Sequence, residues 1–239
     1  MCGIVGYVGQ NNAAKAVLDG LELLEYRGYD SSGIALCRDK LELYKDCLRV
    51  RALRNLVPDG DCALAIGHTR WATHGMPSRK NAHPHISFDE KVAIWHNGII
   101  ENYRELKREL QLKGIDFYSD TDSEVIAHLV ALELKDSKTL TEALIKATKY
   151  LKGAFTILAI SPLFPGEIAA YRYNASLLVS KTKDGGIAAS DALALYKYTD
   201  EAYILQNNEA ARITANSIEI FSNGIKIEKT PVRIEKYTL

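Results

Sequence analysis

The residues best suited to chemistry crowd into one part of the chain. All six histidines and both tryptophans lie between residues 68 and 128, whereas scattered surface histidines would not segregate so completely. Four polar stretches carry or flank them, and each is predicted to follow a strand or to open a helix; they are residues 68–75, 81–85, 96–103 and 119–124. Because functional side chains are usually presented from such positions, we expect one site built from these stretches.

One chemistry that fits these residue types is metal-assisted hydrolysis. The pair His83 and His85, together with Asp120 and Asp122, has the nitrogen and oxygen donors that a transition metal binds. Pairs of this spacing are common, however, and no H-E-x-x-H or C-x-x-C sequence accompanies this one. The metal hydrolase is therefore kept as an alternative, and no metal ligand is assigned.

The other chemistry is nucleophilic and starts at Cys2. Once the initiator methionine is removed, Cys2 is the N-terminal residue and carries both a thiol and a free α-amine. That amine has a reference pKa of about 7.7–8.0, so it can serve as a base near neutral pH. A thiol is the most nucleophilic of the common side chains. A Met-Cys start also occurs by chance, so this prediction needs support from the rest of the sequence.

The elements that would position these residues form a single α+β domain with two packed sheets. A capping pattern predicts that one helix opens at Thr121 with Glu124 and that another opens at Thr139 with Glu142, and a third helix is expected to begin after Asn102 as its N-cap. A helix over residues 12–25 and strands at both ends of the chain complete the prediction; the strands are residues 3–9, 34–37, 41–44, 63–66, 92–95, 154–160, 167–172, 177–179, 187–189, 202–205, 211–214 and 218–221. His128 is expected to form a solvated pair with Glu124 one helical turn away.

Composition narrows the class of protein. Lysine plus arginine and aspartate plus glutamate number 30 each, giving a formal net charge of zero, and this balance argues against a protein that binds nucleic acid or an anionic membrane. No apolar run approaches 18 residues and the first 30 residues are rich in charge, so we expect no membrane span, no signal peptide and a cytoplasmic location. The cysteines are expected to be reduced, with Cys37, Cys47 and Cys62 as buried filler.

Taken together, six segments give a specific signal. They include T-R-W-A-T-H-G at 69–75 and H-N-G-I-I-E-N at 96–102, with shorter matches at residues 2–6, 25–31, 81–85 and 121–128. In this wording the chain resembles the glutaminase domain of the glutamine–fructose-6-phosphate aminotransferases, a branch of the class II glutamine amidotransferases. The resemblance is dense over residues 2–134 and thinner beyond them, and it covers a domain of residues 2–239.

The resemblance implies a role for each candidate residue. Cys2 would be the nucleophile that attacks the side-chain amide of L-glutamine, while Asn97 and Gly98 would form the oxyanion hole. Arg70 would hold the substrate α-carboxylate and Asp122 the α-ammonium. Five further residues are implied to line, close or support the pocket; these are Thr73, His74, His83, Arg27 and Trp71.

The resemblance further implies the four-layer αββα sandwich of N-terminal nucleophile hydrolases, with no cofactor. The full-length aminotransferases of this family carry sugar-isomerase domains, which nothing in this sequence resembles, and they are expected to assemble as homo-oligomers. The ammonia acceptor would be such domains or a separate partner, so a free-standing amidotransferase subunit and a non-catalytic glutamine-binding module stay open. One departure bears on the site: residues 174–176 read Asn-Ala-Ser where the family commonly has Gly-Ser-Pro. We expect Asn174 to tolerate the positive φ of that glycine.

Overall fold

The computed structural model describes residues 2–10 and 12–235 of the chain. Met1, whose removal the nucleophile prediction requires, and the predicted domain end at residues 236–239 lie outside the described residues. Within these, the strands are β1 (Gly3–Gly9), β2 (Ser31–Cys37), β3 (Leu41–Asp46), β4 (Leu64–Arg70), β5 (His85–Ile86), β6 (Ala93–Ile100), β7 (Gly153–Ile160), β8 (Glu167–Tyr173), β9 (Leu178–Lys181), β10 (Gly185–Ala189), β11 (Glu201–Ile204), β12 (Glu209–Thr214), β13 (Ile218–Ser222), β14 (Ile225–Ile227) and β15 (Val232–Arg233).

The described helices are fewer than the strands. They are α1 (Ala13–Leu23), α2 (Val50–Arg54), α3 (Tyr103–Leu112), α4 (Glu124–Glu133) and α5 (Leu140–Thr148), with short 3-10 turns at Glu25–Arg27, Leu134–Asp136 and Ala192–Ala194. None of them has the length and apolar content that crossing a bilayer needs.

The strands form two antiparallel sheets. The first has eight strands in the order β15-β11-β9-β10-β1-β4-β2-β3, and the second has seven in the order β14-β13-β12-β8-β7-β6-β5. Strand β1 is central in the first sheet, where Val5 pairs with Gly67 of β4 on one side and with Ala189 of β10 on the other. The strand that Cys2 precedes is therefore held by neighbours on both edges.

Alternation along β1 shows how the layers are built. Ile4 and Val8 face a core shared by the two sheets, whereas Val5 and Tyr7 face a second core under α1 and α2. A third core joins the outer face of the second sheet to α3, α4 and α5. Because strand side chains point to opposite faces in turn, an almost uninterrupted apolar run is what a strand covered on both faces requires. The predicted four-layer αββα sandwich is confirmed.

Several local predictions need correction. Thr121 does not cap α4, because its hydroxyl lies 3.1 Å from Nε2 of His85 and the helix is preceded by Ser123. The Glu124 carboxylate instead accepts the backbone N–H groups of Tyr118 and Ser119. The predicted solvated pair of Glu124 with His128 forms at 3.6 Å, but both side chains are buried.

Other caps and cysteines give mixed outcomes. The Thr139 cap is confirmed, since its side chain accepts the N–H of Glu142 at 3.0 Å. Asn102 occupies the N-cap position of α3, but its amide bridges to the backbone of residues 150 and 152 instead of capping. Cys37 and Cys62 are buried as predicted, and the four cysteines are free. Cys47 is exposed, contrary to prediction, because it follows β3 at the edge of its sheet.

Candidate active site

Cys2 immediately precedes β1 and lines a cavity of about 440 Å³. Its Sγ accepts the backbone N–H of Trp71 at 3.2 Å. Burial raises the pKa of the Cys2 thiol above its ordinary value, and the Trp71 hydrogen bond offsets only part of that effect. The thiol is therefore protonated at neutral pH, so a reaction at this sulfur needs a nearby base.

The backbone of Cys2 is fixed by two side chains. Its carbonyl oxygen accepts Nε of Arg27 at 3.0 Å and Nδ2 of Asn97 at 3.0 Å. Arg27 is itself anchored, because its Nη1 pairs with Asp191 at 3.1 Å. The predicted supporting position of Arg27 thus corresponds to a direct contact with Cys2.

Asn97 and Gly98 stand beside this carbonyl on β6. Gly98 has a φ of +133°, and a Cβ at this position would lie 1.9 Å from the carbonyl oxygen of Ala154 on β7. Only glycine can occupy this point of the ladder, which leaves its backbone accessible from the cavity. The expectation that these residues follow a strand is wrong: both lie inside β6, as Arg70 lies inside β4.

A free cationic donor faces the cavity from β4. Arg70 donates Nη2 to the carbonyl oxygens of His74 and Gly75. Its Nη1 is buried and has no hydrogen-bond partner among the described residues. A guanidinium keeps its charge in proteins, so Nη1 is a ready donor for an anionic group in the cavity.

An anionic group lines the same cavity from the loop before α4. Asp122 is 4% exposed, and its Oδ2 accepts the backbone N–H of Ile100 at 2.8 Å. The second oxygen, Oδ1, accepts only a long hydrogen bond from the Ser123 hydroxyl, at 3.5 Å. It can therefore accept a further, stronger hydrogen bond. A cation and an anion therefore line one cavity together with Cys2, as the α-carboxylate and α-ammonium of a free amino acid require.

The remaining predicted residues fall into two groups. Thr73, His83 and Trp71 line the cavity, and the Trp71 ring is half exposed and packs edge-on against Tyr29. The His74 ring packs against Tyr103 instead, and only its carbonyl takes part, by accepting from Arg70.

The side chains of the metal alternative do not converge. His85 bonds to the Thr121 hydroxyl, whereas Asp120 lies at the surface and pairs with Lys80 at 2.7 Å. Over residues 2–10 and 12–235 no three His, Cys, Asp or Glu side chains form a group that could hold a metal ion.

His68 contacts the site although no role is predicted for it from the sequence. His68, which is 1% exposed, places Nε2 at 2.9 Å from Oδ1 of Asn97. Burial lowers the pKa of His68 to about 3, so its ring is neutral. The signal available was the spacing: His68 and Arg70 are two apart in one strand, and such residues share a face.

The segment that departs from the family also reaches the cavity, where residues 174–176 form part of the wall. Asn174 has a φ of +54°, as expected for its substitution for glycine. Its backbone N–H donates to Oδ1 of Asn207 at 2.8 Å, and the two side-chain amides also bond to each other. These two hydrogen bonds hold the segment, in which Ser176 replaces the proline that the family commonly has.

Comparison with known sequences bears on the family. A family model described as a glutamine amidotransferase domain matches residues 68–171. The glutamine–fructose-6-phosphate aminotransferase (isomerizing) of Thermosynechococcus vestitus is 44% identical over 241 residues, covering 97% of this chain and 38% of that protein. The enzyme of the same name from Aquifex aeolicus is 44% identical over 225 residues, covering 93% and 38%. The chain thus spans about two fifths of the length of these relatives.

Comparison with solved structures bears on the fold. A glutamine phosphoribosylpyrophosphate amidotransferase from B. subtilis, complexed with ADP and GMP, superposes with a TM-score of 0.79 at 25% identity over 93% of this chain and 49% of that one. A glutamine aminotransferase class-II domain protein from Silicibacter pomeroyi gives 0.57 at 17% identity over 92% and 99%, which shows the fold alone. On these likenesses and its αββα sandwich, the chain is a glutamine amidotransferase domain with the N-terminal nucleophile fold, and it is similar over nearly its whole length to part of the glutamine–fructose-6-phosphate aminotransferases.

Proposed function

We propose that the chain hydrolyses L-glutamine to glutamate and ammonia, with Cys2 as nucleophile. The observation that carries the proposal is the shared cavity, which is lined by Cys2, by Arg70 with its unpartnered Nη1 and by Asp122 with its buried carboxylate. Glutamine has a carboxylate and an ammonium at one end and a side-chain amide at the other. Binding the charged end to Arg70 and Asp122 directs the amide toward the thiol.

The first step forms a thioester. The α-amine of Cys2, freed by removal of Met1, takes the thiol proton, and Sγ adds to the amide carbon of glutamine. The negative charge that develops on the amide oxygen is stabilised by the Asn97 side-chain amide and the Gly98 N–H. The carbon–nitrogen bond then breaks, the proton passes to the departing nitrogen, and ammonia leaves a γ-glutamyl thioester on Cys2.

The second step hydrolyses the thioester and regenerates the free enzyme. The α-amine accepts a proton from water, and the oxygen of that water adds to the thioester carbon in the same oxyanion hole. The carbon–sulfur bond breaks, Sγ is reprotonated, and glutamate leaves. Because the thiol has a raised pKa, the first step needs the amine to make the sulfur reactive near neutral pH. In the second step the same amine activates the water.

The relatives suggest where the ammonia goes. They are named for fructose 6-phosphate and are more than twice as long as this chain, so we propose that a sugar-isomerase partner, fused or separate, receives the ammonia and makes glucosamine 6-phosphate. The chain alone should then release ammonia to solvent and leave fructose 6-phosphate unchanged. Glucosamine 6-phosphate above the background from free ammonia would contradict that division of labour.

The reaction is tested with the chain and glutamine. Glutamate and ammonia should appear in equal amounts, and Cys2→Ala should abolish both products while isothermal titration still detects glutamine binding. Cys47→Ala is the matched control, because Cys47 is the exposed free thiol and its loss should leave the rate unchanged. Turnover by Cys2→Ala at the parent rate would refute the proposal, whereas binding without turnover by the parent chain would favour the non-catalytic glutamine-binding module.

A further inference from the structure

The orientation of the Asn97 amide can be deduced from its partners. One end of the amide faces the carbonyl oxygen of Cys2 at 3.0 Å. A carbonyl oxygen only accepts hydrogen bonds, so this end is the nitrogen, Nδ2. The other end is therefore the oxygen, Oδ1, and it faces Nε2 of His68 at 2.9 Å.

That assignment also settles the tautomer of His68. Since Oδ1 can only accept, Nε2 of His68 carries the proton and donates it to Asn97. The other ring nitrogen, Nδ1, is then a bare acceptor, and it has no hydrogen-bond partner among the described residues. In the opposite tautomer, Nδ1 would carry a buried N–H without a partner. Nε2 would then need a donor, so the Asn97 amide would have to turn and place its oxygen against the carbonyl oxygen of Cys2.

His68 is held in place from its own side. It belongs to β4, where it is paired with Ile4 of β1 and Gly33 of β2. Its ring lies against the ring of His83 with centroids 4.2 Å apart. Asn97 belongs to the other sheet, so the hydrogen bond crosses from one sheet to the other and joins the strand of Arg70 to the strand of the oxyanion hole.

We propose that His68 is a positioning residue for the oxyanion hole: its Nε2–H grips the oxygen of the Asn97 amide and keeps the nitrogen turned toward Cys2 and the cavity. One N–H of that nitrogen holds the Cys2 carbonyl, and the second is left for the oxygen of the substrate amide. This inference rests on the proposed glutaminase function, since the oxyanion exists only in that reaction.

A neutral ring suits this task. Burial lowers the pKa of His68 most, and the charges of nearby Arg70 and His96 lower it further; together they outweigh the hydrogen bonds to Asn97 and to the His96 backbone, which raise it. The ring therefore stays a single donor over the pH range in which the enzyme would work. The hydrogen bond from His68 to Asn97 is therefore unchanged by changes of pH near neutrality.

The test uses a pair of variants with side chains of matched length. His68→Gln keeps an N–H donor, whereas His68→Met removes it. We expect His68→Met to lower kcat for glutamine about 10-fold to 100-fold with KM changed less than threefold, because one donor of the hole is left free to turn. We expect His68→Gln to recover kcat to within about fivefold of the parent.

Alkylation of Cys2 by iodoacetamide separates positioning from general damage. That reaction displaces iodide and forms no oxyanion, so it should run at the parent rate in both variants. His128→Met is the control for removal of a buried histidine, since His128 lies on α4 and accepts the backbone N–H of Phe88 in the turn after β5; it should lower stability and spare kcat.

Three outcomes would overturn the inference: kcat of His68→Met at the parent value, equal losses of kcat and alkylation rate, or no recovery in His68→Gln. If His68→Met does not fold, the kcat of His68→Gln decides the question. A value near that of the parent supports the inference, and a loss beyond 10-fold overturns it. Absence of glutamine turnover in the parent chain would instead refute the proposed function.

Discussion

Replacing Gly98 by alanine should disable the proposed oxyanion hole for a steric reason. The added Cβ would lie 1.9 Å from the carbonyl oxygen of Ala154, where ordinary contacts begin near 3.4 Å. The strands β6 and β7 must therefore separate or twist by roughly the difference, about 1.5 Å, at the point where the Gly98 N–H serves the reaction. A misplacement of about 1 Å can cost about 100-fold in rate, so we expect kcat to fall at least about 100-fold, or ~2.7 kcal/mol of transition-state stabilisation.

Gly114→Ala is the matched control for this substitution. Gly114 also has a positive φ, of +80°, but nothing lies within 4 Å of the position that its Cβ would take. This variant should lose about 1–2 kcal/mol of stability from backbone strain alone and keep its kcat. Glutamate release measured with a coupled dehydrogenase, beside thermal unfolding of each variant, makes the comparison. A kcat for Gly98→Ala within threefold of the parent, or an equal loss in Gly114→Ala, would refute the reasoning.

The other predictions concern substrate binding and the thermal stability of the protein at acidic pH. Arg70→Lys should raise KM for glutamine about 10-fold or more with little change in kcat, because a point charge replaces a guanidinium that both holds the 74–75 backbone and offers a second donor. Asp122→Asn keeps an acceptor for the Ile100 N–H, so unfolding should shift little, while KM rises and discrimination against glutamine analogues without the α-amine falls. The thermal midpoint should drop as pH falls from 7 to 5. The folded state lowers histidine pKa values, that of His68 from 6.5 to about 3, so below pH 6.5 the unfolded chain binds protons that the folded chain refuses; burial acts likewise on His83, His85 and His96.

Each of these predictions has its contradicting result. Steady-state kinetics that leave KM unchanged in Arg70→Lys, or a change in unfolding alone in Asp122→Asn, would remove that residue from substrate binding. A thermal midpoint that stays level or rises on acidification, followed by calorimetry, would show that the buried histidines take up protons without cost.

The fold could be predicted from the sequence because its signals are local. The apolar runs of β1 and β7 and the helical spacing of α1 each specify an element without knowledge of its neighbours. What failed depended on contacts between distant segments. Glu124 did not complete a capping box with Thr121, because the backbone of residues 118 and 119 binds its carboxylate. The short strands β14 and β15 were missed because their side chains are largely exposed.

The site shows the same division. Family motifs pointed to Cys2, Asn97, Gly98, Arg70 and Asp122, and these residues line one cavity. The link from His68 to Asn97 could not be predicted, because it joins two sheets whose relative position no single segment encodes. The His74 ring faces Tyr103 instead of the cavity, because its loop is anchored by backbone carbonyls that bind Arg70.

The central claim is that Cys2, as the N-terminal residue, is the nucleophile. The most direct test is the intact mass of the chain after treatment with an electrophilic glutamine analogue. The account predicts a single adduct at Cys2 on molecules that have lost Met1, with loss of glutamine turnover in proportion, and no adduct on molecules that keep Met1. Labelling of another residue, or full turnover by a chain shown by mass to keep Met1, would contradict it.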